Sequence, residues 1–258
     1  MLRAELVEIS DRYDSSLRSI QRLMRFDRIV VETVVELLGR LEADLEGRSN
    51  LAQQAVRNHL DSARNIRNNQ SVKVYYDTML NQCVVLVVSH FGSTVHDALR
   101  FGIREALQHG AKFAVGKQEI KARMNELWAT LDVDATRRAD ELADMLITQH
   151  QVSFQDMLSI NRAFGDYLGI NTAQGGFLDD IIIGQAMRHC IVHTGSRFSS
   201  RAARQIAGRQ GDRLTLNYKP GDIIQFETAD VDALASATQD YLRQLLTSLD
   251  AALPRRDS

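Results

Sequence analysis

Only two prolines, Pro220 and Pro254, occur in the 258 residues, and glycine is sparse at 15. Proline removes a backbone donor and clashes with the preceding turn, and glycine resists ordering, so both interrupt helices. Their scarcity weighs against a many-stranded sheet and favours long helices. Cysteine is nearly absent as well. Cys83 and Cys190 each sit in an apolar run, which excludes a disulfide framework and fits buried free thiols in a reducing compartment. No sign of charge dominates: 31 basic residues face 33 acidic ones for a net −2. A nucleic-acid partner, if there is one, must meet a local patch. Charges interrupt the first ten residues, "MLRAELVEIS", so they do not form a signal peptide. The longest apolar runs, such as "CVVLVV" at 83–88, are too short to span a bilayer. The expectation is a soluble, cytoplasmic protein without membrane contact.

Familiar catalytic signatures are also missing. There is no glycine-rich phosphate loop, no GxSxG elbow, no HExxH and no CxxC, so phosphate-cradle and hydrolase-elbow chemistry fall away.

What the chain does have is helical periodicity. Positions alternately three and four apart from Leu6 to Asp44 are apolar at nine of twelve places, a coiled-coil-like seam. Such a seam fits a long helix packed on its own domain or one that binds a partner. "EGRSN" at 46–50 supplies a stop and a new cap, and a polar helix follows to a loop at Asn68–Ser71. From Val72 a dense apolar stretch predicts a buried helix, bent or broken near Gly92. Helices are also expected over 115–131, over 134–149, after a Ser153 cap, and from Leu178 to a stop at Gly195. The last follows a Thr228 cap. Between these, "RLTLNYKPGDIIQF" alternates apolar and polar around Lys219-Pro220-Gly221-Asp222, a β-hairpin pattern. The fold class is all-α with one small hairpin. Residues 1–70 read as an N-terminal helical extension suited to dimerisation, 72–250 as the main helical domain, and 251–258 as a tail.

Chemistry concentrates in "RHCIVHTG", residues 188–195. His189 and His193 are four apart and share a helix face, the spacing that offers two imidazoles to a metal. The glutamate of a metalloprotease helix is replaced by Cys190, however, and no second HxxxH or ExxH unit supplies further ligands. No metal or cofactor is therefore assigned. The other reading pairs Arg188 with His193. Arginine is a fixed cationic fork for phosphate, and histidine moves protons near neutral pH. Together they can promote attack by an RNA 2′-hydroxyl on its own phosphate without metal, leaving a 2′,3′-cyclic phosphate. An arginine followed by four to six residues and a histidine occurs twice, at Arg104–His109 and Arg188–His193, about as often as chance provides. Context separates them. Only the second closes a long apolar helix, where the C-terminus favours an imidazolium.

"IIIGQAMRHCIVHTGSRFS" resembles the signature of the HEPN superfamily (higher eukaryotes and prokaryotes nucleotide-binding domains): arginine, a polar residue, three to five more, then histidine at the end of the last long core helix. Arg188, His189 and His193 match in order. "YYDTMLNQCVVLVVSHFGSTVHDALRFGI", "VSFQDMLSINRAFGDYLGI" and "YKPGDIIQF" follow the order of the ribosomal-toxin-like and phage-defence members, so the resemblance spans about 72–250. It implies a helical bundle that dimerises with two Arg/His motifs facing across a cleft. It also implies a metal-independent endoribonuclease serving as a toxin or anti-phage effector under an antitoxin or activator protein. Arg188 would hold the scissile phosphate, His193 act as general acid or base, and His189 support either. Some relatives only bind RNA or nucleotides. Where a nucleotidyltransferase silences such toxins, a tyrosine stands two residues after the motif histidine. Here Gly195 occupies that place, which argues against that partner. Arg197, Arg201 and Arg204 follow the motif and suit an RNA backbone, although a solvated arginine-rich loop would have the same composition. His90 and His96 are further cleft candidates, and Asp179 and Asp180 fit either an orienting role or plain helix capping.

Overall fold

The computed structural model describes residues 2–46, 50–66, 70–108, 135–149, 152–172, 177–214 and 217–253. Among these, eight helices follow in order: α1 (Ala4–Asp44), α2 (Asn50–Ile66), α3 (Gln70–Gln108), α4 (Ala135–Gln149), α5 (Met157–Leu168), α6 (Phe177–His193), α7 (Ser200–Ile206) and α8 (Thr228–Ala252). The all-α expectation holds. The helix expected over 115–131, with Trp128 and His109 nearby, lies outside the described residues.

α3 is the hub, packing against α1, α4, α5, α6 and α8, while α6 lies against α3, α8, α7 and α5. Val84, Val87, Val88, Phe91, Val95 and Leu99 of α3 are fully buried, so the β-branched run near 84–88 sits in a core helix. Phe91 meets Tyr13 of α1 and Tyr241 of α8 edge-on, with centroids 6.4 and 5.6 Å apart. Each such pair adds ~0.5–1.5 kcal/mol beyond its buried area. Tyr76–Gln108 is long and apolar enough to cross a membrane by composition, with half of its most apolar window buried in the bundle. A helix enclosed on several sides acquires the same hydropathy.

Three local expectations are corrected. α3 continues unbroken through Gly92. That glycine permits a close approach, because a Cβ there would lie 2.8 Å from the Phe154 carbonyl oxygen. The cap of α5 is Asp156, not Ser153: its carboxylate accepts the Ser159 amide at 3.1 Å. Likewise Glu227, one residue before Thr228, caps α8, with its amide donated to Asp230 at 2.8 Å.

The hairpin is corrected too. The turn forms, with the Asp222 amide on the Lys219 carbonyl at 3.0 Å, but no strand is present among the described residues. Residues 221–224 pair instead with the chain leaving α6. The Phe198 amide donates to the Asp222 carbonyl and the Gly221 amide to the Phe198 carbonyl, at 2.9 and 2.8 Å, the Ile224 amide donates to the Ser196 carbonyl at 2.8 Å, and Arg197 bridges Ile223. On the other arm, the Tyr218 hydroxyl both donates to and accepts from the Gln225 backbone. A side chain thus takes the place of a ladder partner.

Burial does not divide at residue 70. Leu6, Ile9, Tyr13, Leu17, Ile20 and Met24 of α1 belong to the same core cluster as α3, α6 and α8. Beyond Met24, α1 overhangs the bundle and pairs with α2, whose Val56, Leu60 and Ala63 are buried.

Gly92→Val is expected to lower stability by about 1–3 kcal/mol, because the neighbour that must yield is backbone. Gly165→Ala, with nothing within 4 Å of the added carbon, should be neutral or stabilising by up to ~1 kcal/mol through helix propensity. Urea midpoints of the two variants check the opposite signs.

Candidate functional site

α6 is buried nearly all round: Asp180 to Met187, Cys190 and Ile191 are inaccessible. Its last turn therefore emerges from the core as a fixed stub. Arg188 and His189 are half-buried there and His193 is exposed. Gly195 ends the helix at φ 61°, and Ser196 follows at φ 60°. The left-handed pair lets the amides of Thr194 and Ser196 both return to the Cys190 carbonyl, at 3.0 and 3.2 Å. Asn81 of α3 donates to the Ile224 carbonyl at 3.1 Å and to the Ser196 hydroxyl at 3.4 Å, which fixes the exit of the chain.

The imidazoles of His189 and His193 stand with ring centroids 4.7 Å apart, tilted by 46°. Burial holds His189 below the usual histidine range, reinforced by the positive charge of Arg201 and by His193 and Arg188. His189 is accordingly biased toward its neutral form, able to accept a proton. Arg188 reaches back from α6 to donate through Nη1 to the Gln155 side chain, and its Nε is buried without a hydrogen bond. Thus Arg188, His189, His193 and Arg201 share one locality. Gln155 is a member that sequence reasoning missed, since it lies 33 positions from Arg188 and no spacing links the two.

The arginine-rich stretch divides. Ser200–Ile206 form α7, capped by the Ser199 hydroxyl, which accepts from the Ala202 amide at 3.1 Å. Arg201 and Arg204 are exposed on this short helix against α6. Arg197 donates to the Gly221 carbonyl at 3.1 Å. Arg209 is engaged by Asp179 at 2.7 Å and Arg213 by Asp240 at 2.8 Å. Asp179 and Asp180 thereby act on structure: Asp180 accepts the Arg213 and Leu214 amides at 3.2 and 2.9 Å.

The remaining histidine candidates lie on α3. His96 packs edge-on against Phe154 with centroids 5.0 Å apart, beside Asp97. His90 lines a groove with Arg12, Ser16, Leu23 and Leu86. A larger cleft of about 1080 Å³ opens between the start of α1 and the ends of α3 and α8. Arg3 is held within it by Glu105 and Asp250 at 3.0 and 3.3 Å. Among the described residues no group of three or more His, Cys, Asp or Glu side chains is placed to hold a metal ion. Cys83 and Cys190 are both free and buried, and burial pushes the Cys83 thiol up to about 11. No protein-family model, curated protein or solved structure matches the chain.

His189 should titrate below the usual histidine range, and Arg201→Ala should move its midpoint upward by removing a repelling charge. Imidazole NMR signals followed against pH test this. An unchanged His189 midpoint in the variant would place Arg201 outside the electrostatic reach of the pair.

Proposed function

We propose that the protein is a metal-independent endoribonuclease of HEPN type, working in the cytoplasm as a homodimeric toxin or anti-phage effector controlled by an antitoxin or activator protein. The observation that carries this reading is the pair of touching imidazoles on the α6 stub, one biased toward its neutral form, with two arginines beside it. RNA cleavage by internal attack needs a proton acceptor at the 2′-oxygen, a proton donor at the departing 5′-oxygen, and positive charge at the phosphorus.

The residues supply these roles without a nucleophile of their own. His189 or His193 takes the proton from the 2′-hydroxyl, and the 2′-oxygen bonds to phosphorus. The other imidazole, protonated, returns a proton as the bond from phosphorus to the 5′-oxygen breaks. The products are a 2′,3′-cyclic phosphate and a 5′-hydroxyl. Arg188 holds charge on the non-bridging oxygens from a position set by Gln155, and Arg197, Arg201 and Arg204 bind the flanking backbone. Such contacts position RNA without reading its bases. A second reading, a non-catalytic RNA- or nucleotide-binding or helical interaction module, is favoured by one observation, the exposed apolar face of α1.

The test is incubation of tRNA and mRNA with the protein in EDTA, followed by end-group analysis. Wild type should leave cyclic-phosphate ends. His193→Ala and Arg188→Ala should each cut at least about a hundredfold more slowly. RNA binding without turnover by wild type would move the assignment to the binding module. Equal cleavage by wild type and His193→Ala would remove the motif from the chemistry.

A further inference from the structure

After α3, large apolar side chains stand exposed at three described positions, Leu158 at 60 %, Val192 at 47 % and Ile223 at 58 %. All three belong to segments that meet at the end of α6. Val192 immediately precedes His193. Leu158 lies on the first turn of α5, three residues past the Gln155 that holds Arg188. Ile223 pairs through its backbone with Arg197, four residues past His193. None of them is part of the buried core, so core packing does not account for them. At about 100° per residue, Val192 falls about 40° round α6 from Arg188 and about 100° from His193. A line from Arg188 to His193 therefore passes between Val192 and His189. A phosphate held by the arginine while a histidine moves its proton spans that line, and the uncharged part of its molecule lies against the valine.

We infer that Val192 is the contact surface for the ribose and base of the nucleotide whose phosphate Arg188 holds, a specificity-determining residue by which the end of α6 takes nucleotides in preference to phosphate alone. The chemistry follows from the residue types. Arg188, His189, His193 and Arg201 offer charge or hydrogen bonds, and any phosphate-bearing anion satisfies them alike. Val192 offers neither. It gains only from a neighbour with apolar surface of its own, and a nucleoside carries a ring face and sugar carbons beside its phosphate. Covering roughly 60 Å² of apolar surface corresponds to about tenfold in affinity. The same covering keeps water from the phosphate, so the arginine's charge acts on it at a lower dielectric. The inference rests on the ribonuclease reading for the place of the phosphate, yet it concerns binding, and a nucleotide with no bond to cleave reports on it.

The test compares adenosine 3′-monophosphate with inorganic phosphate. Each is titrated into the full chain in EDTA while imidazole and valine methyl NMR signals are followed. Wild type should bind the nucleotide about tenfold tighter than phosphate. Both ligands should move His189 and His193, and the nucleotide should move the Val192 methyls as well. Val192→Ser, at a position already exposed, should keep the helical circular dichroism, lose most of that preference and bind phosphate as wild type does. A merely structural role would weaken both ligands together, and that result overturns the inference. Equal affinity of wild type for the two ligands overturns it as well and leaves these apolar side chains to a protein partner. Binding of neither ligand at the histidines overturns it too. A nucleotide preference that Val192→Ser removes, in a protein that leaves RNA uncut in EDTA, upholds the inference while the ribonuclease reading fails.

Discussion

The carboxylate of Asp180 is fully buried at the start of α6, and the arrangement around that helix depends on how it is satisfied. A buried charge is costly unless hydrogen bonds replace its water. Here the amides of Arg213 and Leu214 do so at Oδ1 alone, while Oδ2 is buried without a hydrogen bond among the described residues, and Gly211 is required beside them because a Cβ there would lie 2.1 Å from Oδ1. Gln185, one and a half turns on, accepts the Met157 amide at 3.0 Å, and Asn81 secures the 196–224 pairing. In each case a buried side chain of a core helix fixes a non-helical segment. Each such bond specifies one geometry, because leaving the group unpaired costs ~1–3 kcal/mol. The end of α6 is thereby presented in one place, with Gln155 holding Arg188 on one side and α7 on the other.

The α6 stub and the α1 overhang leave the bundle at the same end. Leu23 of α1 shares a groove with Leu86 of α3, Gln21 reaches Asp232 near the start of α8, and Asn81 of α3 touches the chain just after the histidines.

Much of this was legible from residues alone, wherever the signal is local. The stop at Thr194-Gly195 needs only the left-handed preference of glycine, and the four-residue spacing of His189 and His193 is enough to bring their rings together. The α1 seam was legible only in part. A strict three-four pattern drifts about 20° per heptad on a straight helix, so positions that begin on the core face at Leu6 end on the open strip at Leu41. One seam thus spans two surfaces. The failures are non-local. Tyr218 pre-empts a ladder that alternation predicted, Gly92 answers a carbonyl sixty-two positions away, and Gln155 joins Arg188 through tertiary packing. α7 was hidden because seven residues rich in arginine give too short a period to read.

The end of α6 as the place where RNA phosphate is met is tested most directly by binding without cleavage. Histidine imidazole NMR signals would be followed while a 2′-O-methyl RNA oligonucleotide, unable to undergo internal attack, is added in EDTA. Saturable shifts at His189 and His193, with His59 and His90 unmoved, are the expected result. Saturable binding that leaves both α6 histidines unshifted would place RNA elsewhere on the protein and contradict the assignment.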